Sequence, residues 1–508
     1  MATASVAAQQ PVVHTASGDL SGVRSSDGKV ISFRGIPFAA PPVGNLRWAP
    51  PATVQRWTGV RPAAAFGASC MQREHGDALP WTMDFLDKNQ ISEDCLYLNV
   101  WTPIVSAPAK LPVVVYIHGG SFTEGSGAVP IFDGTHLAET GMVIVTINYR
   151  LGVFGFFAHP ELTAESPHHS SGNYGLMDQI AALAWVQENI ANFGGDPQRV
   201  TIWGQSAGAM SVGDMLNSPL GVGLFQRAMA DSGIDINSHI GKSLKTAEDQ
   251  GTAFATLQHA ASLKDLRALP TAALLAAQQT APMHFGPIAD GWVMSSTQKA
   301  ASLVSVITGY QANDDLLGAP QFTSASDYTA WVEKEFKQHA AEFEKVYPAH
   351  TAEEANRMMA EATRDGNRVA MFLWASQHEL DTGRPVFTYY FDRAIPWPQH
   401  PEFGAFHSGE LPYFFLNLSL MDRPWTAADH RLSRECAAYL KSFAESGNPN
   451  GATNANAPTT GLPAWDGVHA ETPSTMELGV HLGPMPLAEK PRLDFWTSYF
   501  NAIAPKNM

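Results

Sequence analysis

Val200 to Leu216 read VTIWGQSAGAMSVGDML. The β-branched and apolar run VTIW predicts a buried strand, GQSAG (Gly204 to Gly208) a tight turn, and AGAMSVGDML a helix, with no spare residue between them. A serine held in such a strand–turn–helix bend projects its hydroxyl above the sheet, where a base can reach it. The flanking glycines allow the sharp turn and the close approach of neighbouring backbone. In a chain with 42 glycines the five residues could arise as an ordinary strand-to-helix turn. Their context makes Ser206 the candidate nucleophile.

Reading outward, LPVVVYI (Leu111 to Ile117) and MVIVTIN (Met142 to Asn148) are two more short apolar runs bounded by Gly, Pro or polar residues, and predict strands. Between the latter and VTIW, Leu176, Ile180, Leu183, Ala184 and Ile190 recur at helical spacing. Asn173 is placed to cap that helix and Gly194-Gly195 to stop it. Val304 to Thr308 and Val386 to Phe391 continue the alternation of strand and helix. The pattern predicts an α/β protein with a large, mainly parallel central sheet and helices on both faces, its chemistry at the carboxyl ends of the strands. The Pro-, Gly- and Trp-rich chain before Leu111 predicts turns and short antiparallel strands decorating that core. The Ala-rich segments 248–284 and 324–381 predict helical insertions able to cap a site, and Asn448 to Thr460 a surface loop.

HGGSF (His118 to Phe122) directly follows the strand LPVVVYI. A tetrahedral intermediate carries negative charge on the former carbonyl oxygen. The N–H groups of Gly119, Gly120 and Ala207 are the candidate donors to it, each worth roughly 3 kcal/mol in such sites. A serine hydroxyl also needs a histidine to take its proton and an acid to hold that histidine, in the chain order Ser, acid, His. His407, in the loop FGAFHSGELPYFF after the strand VFTYYF, is the candidate base, with His400 its neighbour and competitor. VITGYQANDDLLG sets Asp314 and Asp315 just beyond a strand, and residue chemistry alone does not choose between them.

With 508 residues, 45% of them apolar and 16% charged, the chain is globular and can bury a large core, as several domains or one elaborated unit. A net charge of −16 disfavours nucleic acid and anionic membranes as partners. The longest apolar stretch, Met142 to Phe157, is interrupted by Arg150 and predicts no membrane span. MATASVAAQQPVV lacks the basic start and apolar block of an export signal, so either the chain is cytosolic or a signal is missing. His168-His169 stand without a metal-binding motif, and Gly241-Lys242-Ser243 ends like a phosphate loop but has Ile236 where the first glycine must stand. No metal or nucleotide is expected. Arg34, Glu93, Asp94, Arg150 and Asp196 read as members of ion pairs that hold loops. Three cysteines, Cys70, Cys95 and Cys436, leave at least one unpaired.

GDLSGV, RGIPFAAPPVGNLRW, SEDCLYLNVWTP, VYIHGGSF, NYRLGVFGFF, GNYGLMDQIAALAWVQENIANFGGDPQRVTIWGQSAG, FHSGELPYFF and FAESGNPN span most of the chain. In these stretches it resembles the type B carboxylesterase/lipase family, which includes bacterial p-nitrobenzyl-type esterases and cholinesterases. The resemblance implies an α/β-hydrolase fold, one catalytic unit over residues 1–508, Ser206 as nucleophile, His407 as base and no cofactor. Members carry the acid as Glu in G-x-x-x-D-E-G. Here the stretch reads Gly309-Tyr310-Gln311-Ala312-Asn313-Asp314-Asp315, which puts the shorter Asp314 at the acid position and leaves Asp315 as runner-up. Cys70 and Cys95 fall where the family places a disulfide, implying an oxidising, secreted or periplasmic setting, with the cytoplasm as alternative.

Cholinesterase-like members place a carboxylate before the nucleophile. The neutral Gln205 disfavours choline esters, and Trp81 and Phe85 in the Cys70–Cys95 loop could line an apolar or aromatic pocket. The expectation is hydrolysis of small to medium apolar or aromatic carboxylic esters. A non-catalytic binding module on the same fold is the alternative, because some family members have lost the nucleophile.

Overall fold

The computed structural model describes residues 10–503 apart from 74–75, 77, 239–240, 296–299, 315–317, 452–460 and 469–472. Eleven strands form the main sheet: β1 (Val23–Arg24), β2 (Ile31–Pro37), β3 (Tyr97–Thr102), β4 (Leu111–Ile117), β5 (Val143–Ile147), β6 (Gly195–Gln205), β7 (Arg227–Asp231), β8 (Ser305–Gln311), β9 (Val386–Phe391), β10 (Ser474–Leu478) and β11 (Leu482–Pro486). Their spatial order is β11-β10-β9-β8-β7-β6-β4-β5-β3-β2-β1. From β5 through β4 and β6 to β10 every neighbouring pair is parallel, while β3, β2, β1 and β11 pair antiparallel at the two sides.

Both faces of this sheet are covered, which is why its central strands are buried along nearly continuous apolar runs rather than at every second position. Along β4, Val113, Val115 and Ile117 join one core and Val114 and Tyr116 the other. The first core receives Leu176, Leu183 and Val186 of α1 (Tyr174–Asn189) and Val212 and Met215 of α2 (Ala207–Asn217). Each buried side chain of this size contributes on the order of 1.5–3 kcal/mol.

The segments expected to be helical are α3 (Leu244–Leu257), α4 (Leu263–Ala268) and α5 (Thr271–Thr280), then α6 (Ala325–Phe336), α7 (Ala340–Val346) and α8 (Ala352–Thr382). On the far face, α9 (Ala427–Ser446) starts at a reciprocal Thr426–Asp429 capping box and stops at the left-handed Gly447. Its Leu432, Leu440 and Phe443 enter the second core.

Four local expectations are corrected. The chain before Leu111 supplies β1, β2 and β3 to the main sheet, because Phe33, Ile36, Leu98 and Val100 are fully buried there. Asn173 sits at the N-cap position of α1, but its side chain instead clamps Ile288, accepting from its N–H and donating to its carbonyl. Ala184 faces solvent, and Ala182, Trp185 and Val186 carry the buried face with Leu183. Glu93 pairs with Arg47 (2.8 Å), Arg150 with Asp178 (2.8 Å) and Asp196 with Arg199 (3.1 Å). Arg34 instead donates to the Ala64 carbonyl, and Asp94 accepts the Tyr97 hydroxyl.

Candidate active site

Ser206 stands between the end of β6 and the start of α2, with φ 59° and ψ −125°. A side-chain-bearing residue is held in such a conformation at a cost of order 1–3 kcal/mol, and only where its surroundings enforce it. Here its N–H donates to the Asp231 carbonyl (2.8 Å), and its own carbonyl accepts from Met210 (2.9 Å). The glycines around it are set by space. A Cβ on Gly208 would lie 2.1 Å from the Ile117 carbonyl oxygen, and one on Gly204 2.2 Å from that of Gly208. On Gly119 it would meet the Gln205 carbonyl at 2.6 Å and Ser206 Cβ at 3.0 Å. The HGGSF turn therefore lies directly against the serine.

That turn is itself bent through left-handed backbone at Gly120, Ser121 and Phe122. His118 is buried under it, stacked on Tyr149, with Nδ1 2.8 Å from the Gly119 carbonyl. Burial pulls its imidazole down to about 4, so it is neutral at physiological pH. Among the described residues, no acceptor is paired with the N–H of Gly119, Gly120 or Ala207.

Asp314 and His407 are brought together by their loops. Asn313, just past β8, bridges in parallel to Phe406, and its N–H donates to the Ala405 carbonyl (2.9 Å). The Asp314 side chain is buried, its Oδ1 in close contact with His407 Nδ1 and its Oδ2 accepting from the Gln311 N–H (3.3 Å). Asp315 lies outside the described residues. His400 pairs with Glu402 and packs edge-on against Trp397, and it does not line the cavity. Trp81 donates its indole N–H to the His407 carbonyl (3.1 Å) and packs edge-on to its ring.

Ser206, His407, Gly119 and Gly120 line one cavity of about 610 Å³. Among the described residues, its apolar wall comes from Trp81, Met83, Phe85, Leu86, Ile91 and Phe132, with Arg73, Asp87, Lys88 and Glu124 as charged residues. Cys70 and Cys95 are disulfide-bonded and tie down the loop that supplies most of that wall, while Cys436 is a buried free thiol. Among the described residues, none that lines the cavity comes from segments 248–284 or 324–381.

Two groups have no part in the sequence reading. Glu410, on the His407 loop, is fully buried with both carboxylate oxygens unpartnered among the described residues. Burial, with Asp231 nearby, drives its carboxyl well above the usual range. Asp231, at the end of β7, takes the Trp203 indole N–H and is pushed up by burial to about 7. FHSGELPYFF did contain a signal for Glu410, since a lone acid leading into the apolar run LPYFF has little room to face solvent.

A model of the carboxylesterase family matches residues 9–496. The chain is 36% identical to the fumonisin B1 esterase of Sphingopyxis macrogoltabida, over 88% of this chain and 84% of that one. It is 33% identical to the para-nitrobenzyl esterase of Bacillus subtilis (92% and 94% covered) and 32% identical to the acylcarnitine hydrolase of Mus musculus (96% and 91%). Among the described residues no helix is long and apolar enough to cross a membrane.

Proposed function

The chain belongs to the carboxylesterase family and is an ester hydrolase, and from that premise we propose that Ser206, His407 and Asp314 form its catalytic triad, acting on small to medium apolar or aromatic esters. The observation that carries this reading is the contact of Asp314 with His407 Nδ1, at a cavity that His407 shares with Ser206. A buried carboxylate at Nδ1 fixes the proton there and leaves the lone pair on Nε2. Ser206 Oγ attacks the ester carbonyl carbon as its proton passes to His407 Nε2. The carbonyl π pair moves to the oxygen, which the N–H groups of Gly119, Gly120 and Ala207 stabilise. Collapse breaks the carbon–alkoxy bond and the alcohol leaves with the proton from Nε2. Water then repeats the sequence on the acyl-serine, returning the acid and free Ser206.

The mainly apolar wall supports an uncharged substrate, and the neutral Gln205 offers no anion to a quaternary ammonium. We read residues 1–508 as one catalytic unit with helical insertions at 248–284 and 324–381, and the Cys70–Cys95 bond supports a secreted or periplasmic setting. Hydrolysis of p-nitrophenyl acetate and butyrate by wild type, Ser206→Ala and His407→Ala tests the reading. Each variant, shown folded by circular dichroism, is expected to lose about 10⁴-fold or more in kcat/KM. Wild-type turnover by folded Ser206→Ala would overturn it.

A further inference from the structure

Asp314 holds one end of the His407 ring, and a second side chain holds the other. Gln205 is the last residue of β6 and is buried. Its Nε2 lies 3.0 Å from His407 Nε2, and its Oε1 accepts from the Ser408 hydroxyl at 3.0 Å. Ser408 is itself buried and held in the left-handed region at φ 75°. These contacts set the amide with Oε1 towards Ser408 and its NH₂ group towards the imidazole. A hydroxyl donating to Oε1 leaves the NH₂ group for the imidazole, and an NH₂ group can only donate. It therefore meets a lone pair, which is present on Nε2 when Nδ1 carries the proton towards Asp314.

Resting on the triad reading above, we propose that the Gln205 carboxamide, oriented by Ser408, is a positioning group for His407 that holds the base as its neutral, Nδ1-protonated tautomer until substrate arrives. The same contact opposes the charged form. An imidazolium presents N–H at Nε2, and N–H against NH₂ is a donor facing a donor. Ser206 competes for the same lone pair, so the start of the reaction is an exchange in which the Ser206 hydroxyl displaces the Gln205 amide. The other ionisable groups around the ring act differently. Asp314 favours the imidazolium from the Nδ1 side. Glu410 on the same loop and Asp231 at the end of β7 are both shifted towards their neutral acids by burial. His118, across the cavity, is neutral. Among the described residues, Arg73, Asp87, Lys88 and Glu124 are the remaining charged residues that line the cavity.

The test is the acid limb of kcat/KM against pH, which reports the free enzyme's base. Gln205→Glu keeps the shape but replaces the donor by a carboxylate, which accepts from the imidazolium. The limb is expected to move up by one pH unit or more, because an opposite charge in contact shifts a titration by about 1–3 units. Ser408→Ala removes the hydroxyl that orients the amide and lets it turn its oxygen to Nε2, so the limb moves in the same direction by less. A packing role alone would lower the plateau of Ser408→Ala and leave its limb in place. A Ser408→Ala limb coinciding with wild type, while Ser206→Ala is inactive, would overturn this inference and leave the triad standing. An active Ser206→Ala would overturn the triad, and this inference with it.

Discussion

Asp314→Asn keeps the volume of the acid and changes only its hydrogen-bonding faces, and the structure says how those faces would be used. Oδ2 of Asp314 accepts from the Gln311 N–H, and Oδ1 meets His407 Nδ1. An asparagine has one acceptor for these two places. The backbone N–H of Gln311 cannot change its polarity, so the amide oxygen must serve it, which sends the NH₂ group to His407. Nδ1 then becomes an acceptor and the ring proton moves to Nε2. There it faces the Gln205 NH₂ group, and no lone pair is left for the proton of Ser206. The imidazolium of the transition state also loses its counter-charge. Loss of tautomer and counter-charge together lowers kcat by about 10⁴-fold in such triads, which is about 5.5 kcal/mol of transition-state stabilisation. The assay is p-nitrophenyl butyrate hydrolysis at the plateau pH, beside a thermal melt that shows the fold intact. A folded Asp314→Asn within tenfold of wild type would refute the assignment of the acid.

Two further outcomes test the frame around the site. Replacing both Cys70 and Cys95 by Ala opens a loop of about 26 residues and removes at most ~3.5 kcal/mol of stability by chain entropy. Because that loop carries Trp81, Met83 and Phe85 into the cavity, KM for p-nitrophenyl butyrate should rise with it, and unchanged stability and KM would show the loop to be held by packing alone. Asp231, pushed up to about 7 by burial, keeps its proton when folded between its ordinary value of 3.8 and 7 and loses it when unfolded. The unfolded state then binds fewer protons, so Asp231 makes stability fall as pH rises through that window. Asp231→Asn should gain in Tm relative to wild type from pH 4 to 7, and parallel Tm curves would contradict this.

Period and turn chemistry by themselves determined much of this protein. Apolar runs too short for helices, such as LPVVVYI and MVIVTIN, placed the buried strands. GQSAG placed Ser206 because a serine between two glycines after a strand has one economical backbone path, and the later crowding at Gly204 and Gly208 is the physical content of that motif. Position after a strand offered His407 and the pair Asp314 and Asp315, and resemblance then chose Asp314 and pointed to the Cys70–Cys95 pairing. Tertiary structure decided what depends on residues far apart in the chain. Whether the Pro-rich chain before Leu111 decorates the sheet or extends it turned on Phe33 and Leu98 finding partners, which neighbouring sequence does not encode. Asn173 looked like a cap because capping is local, whereas its actual partner, Ile288, lies 115 residues away. The amide of Gln205 and the acids Asp231 and Glu410 acquire meaning only beside His407 and Asp314. A hydrogen bond or a field in a low-dielectric interior depends on distances of a few ångströms that the order of residues leaves open.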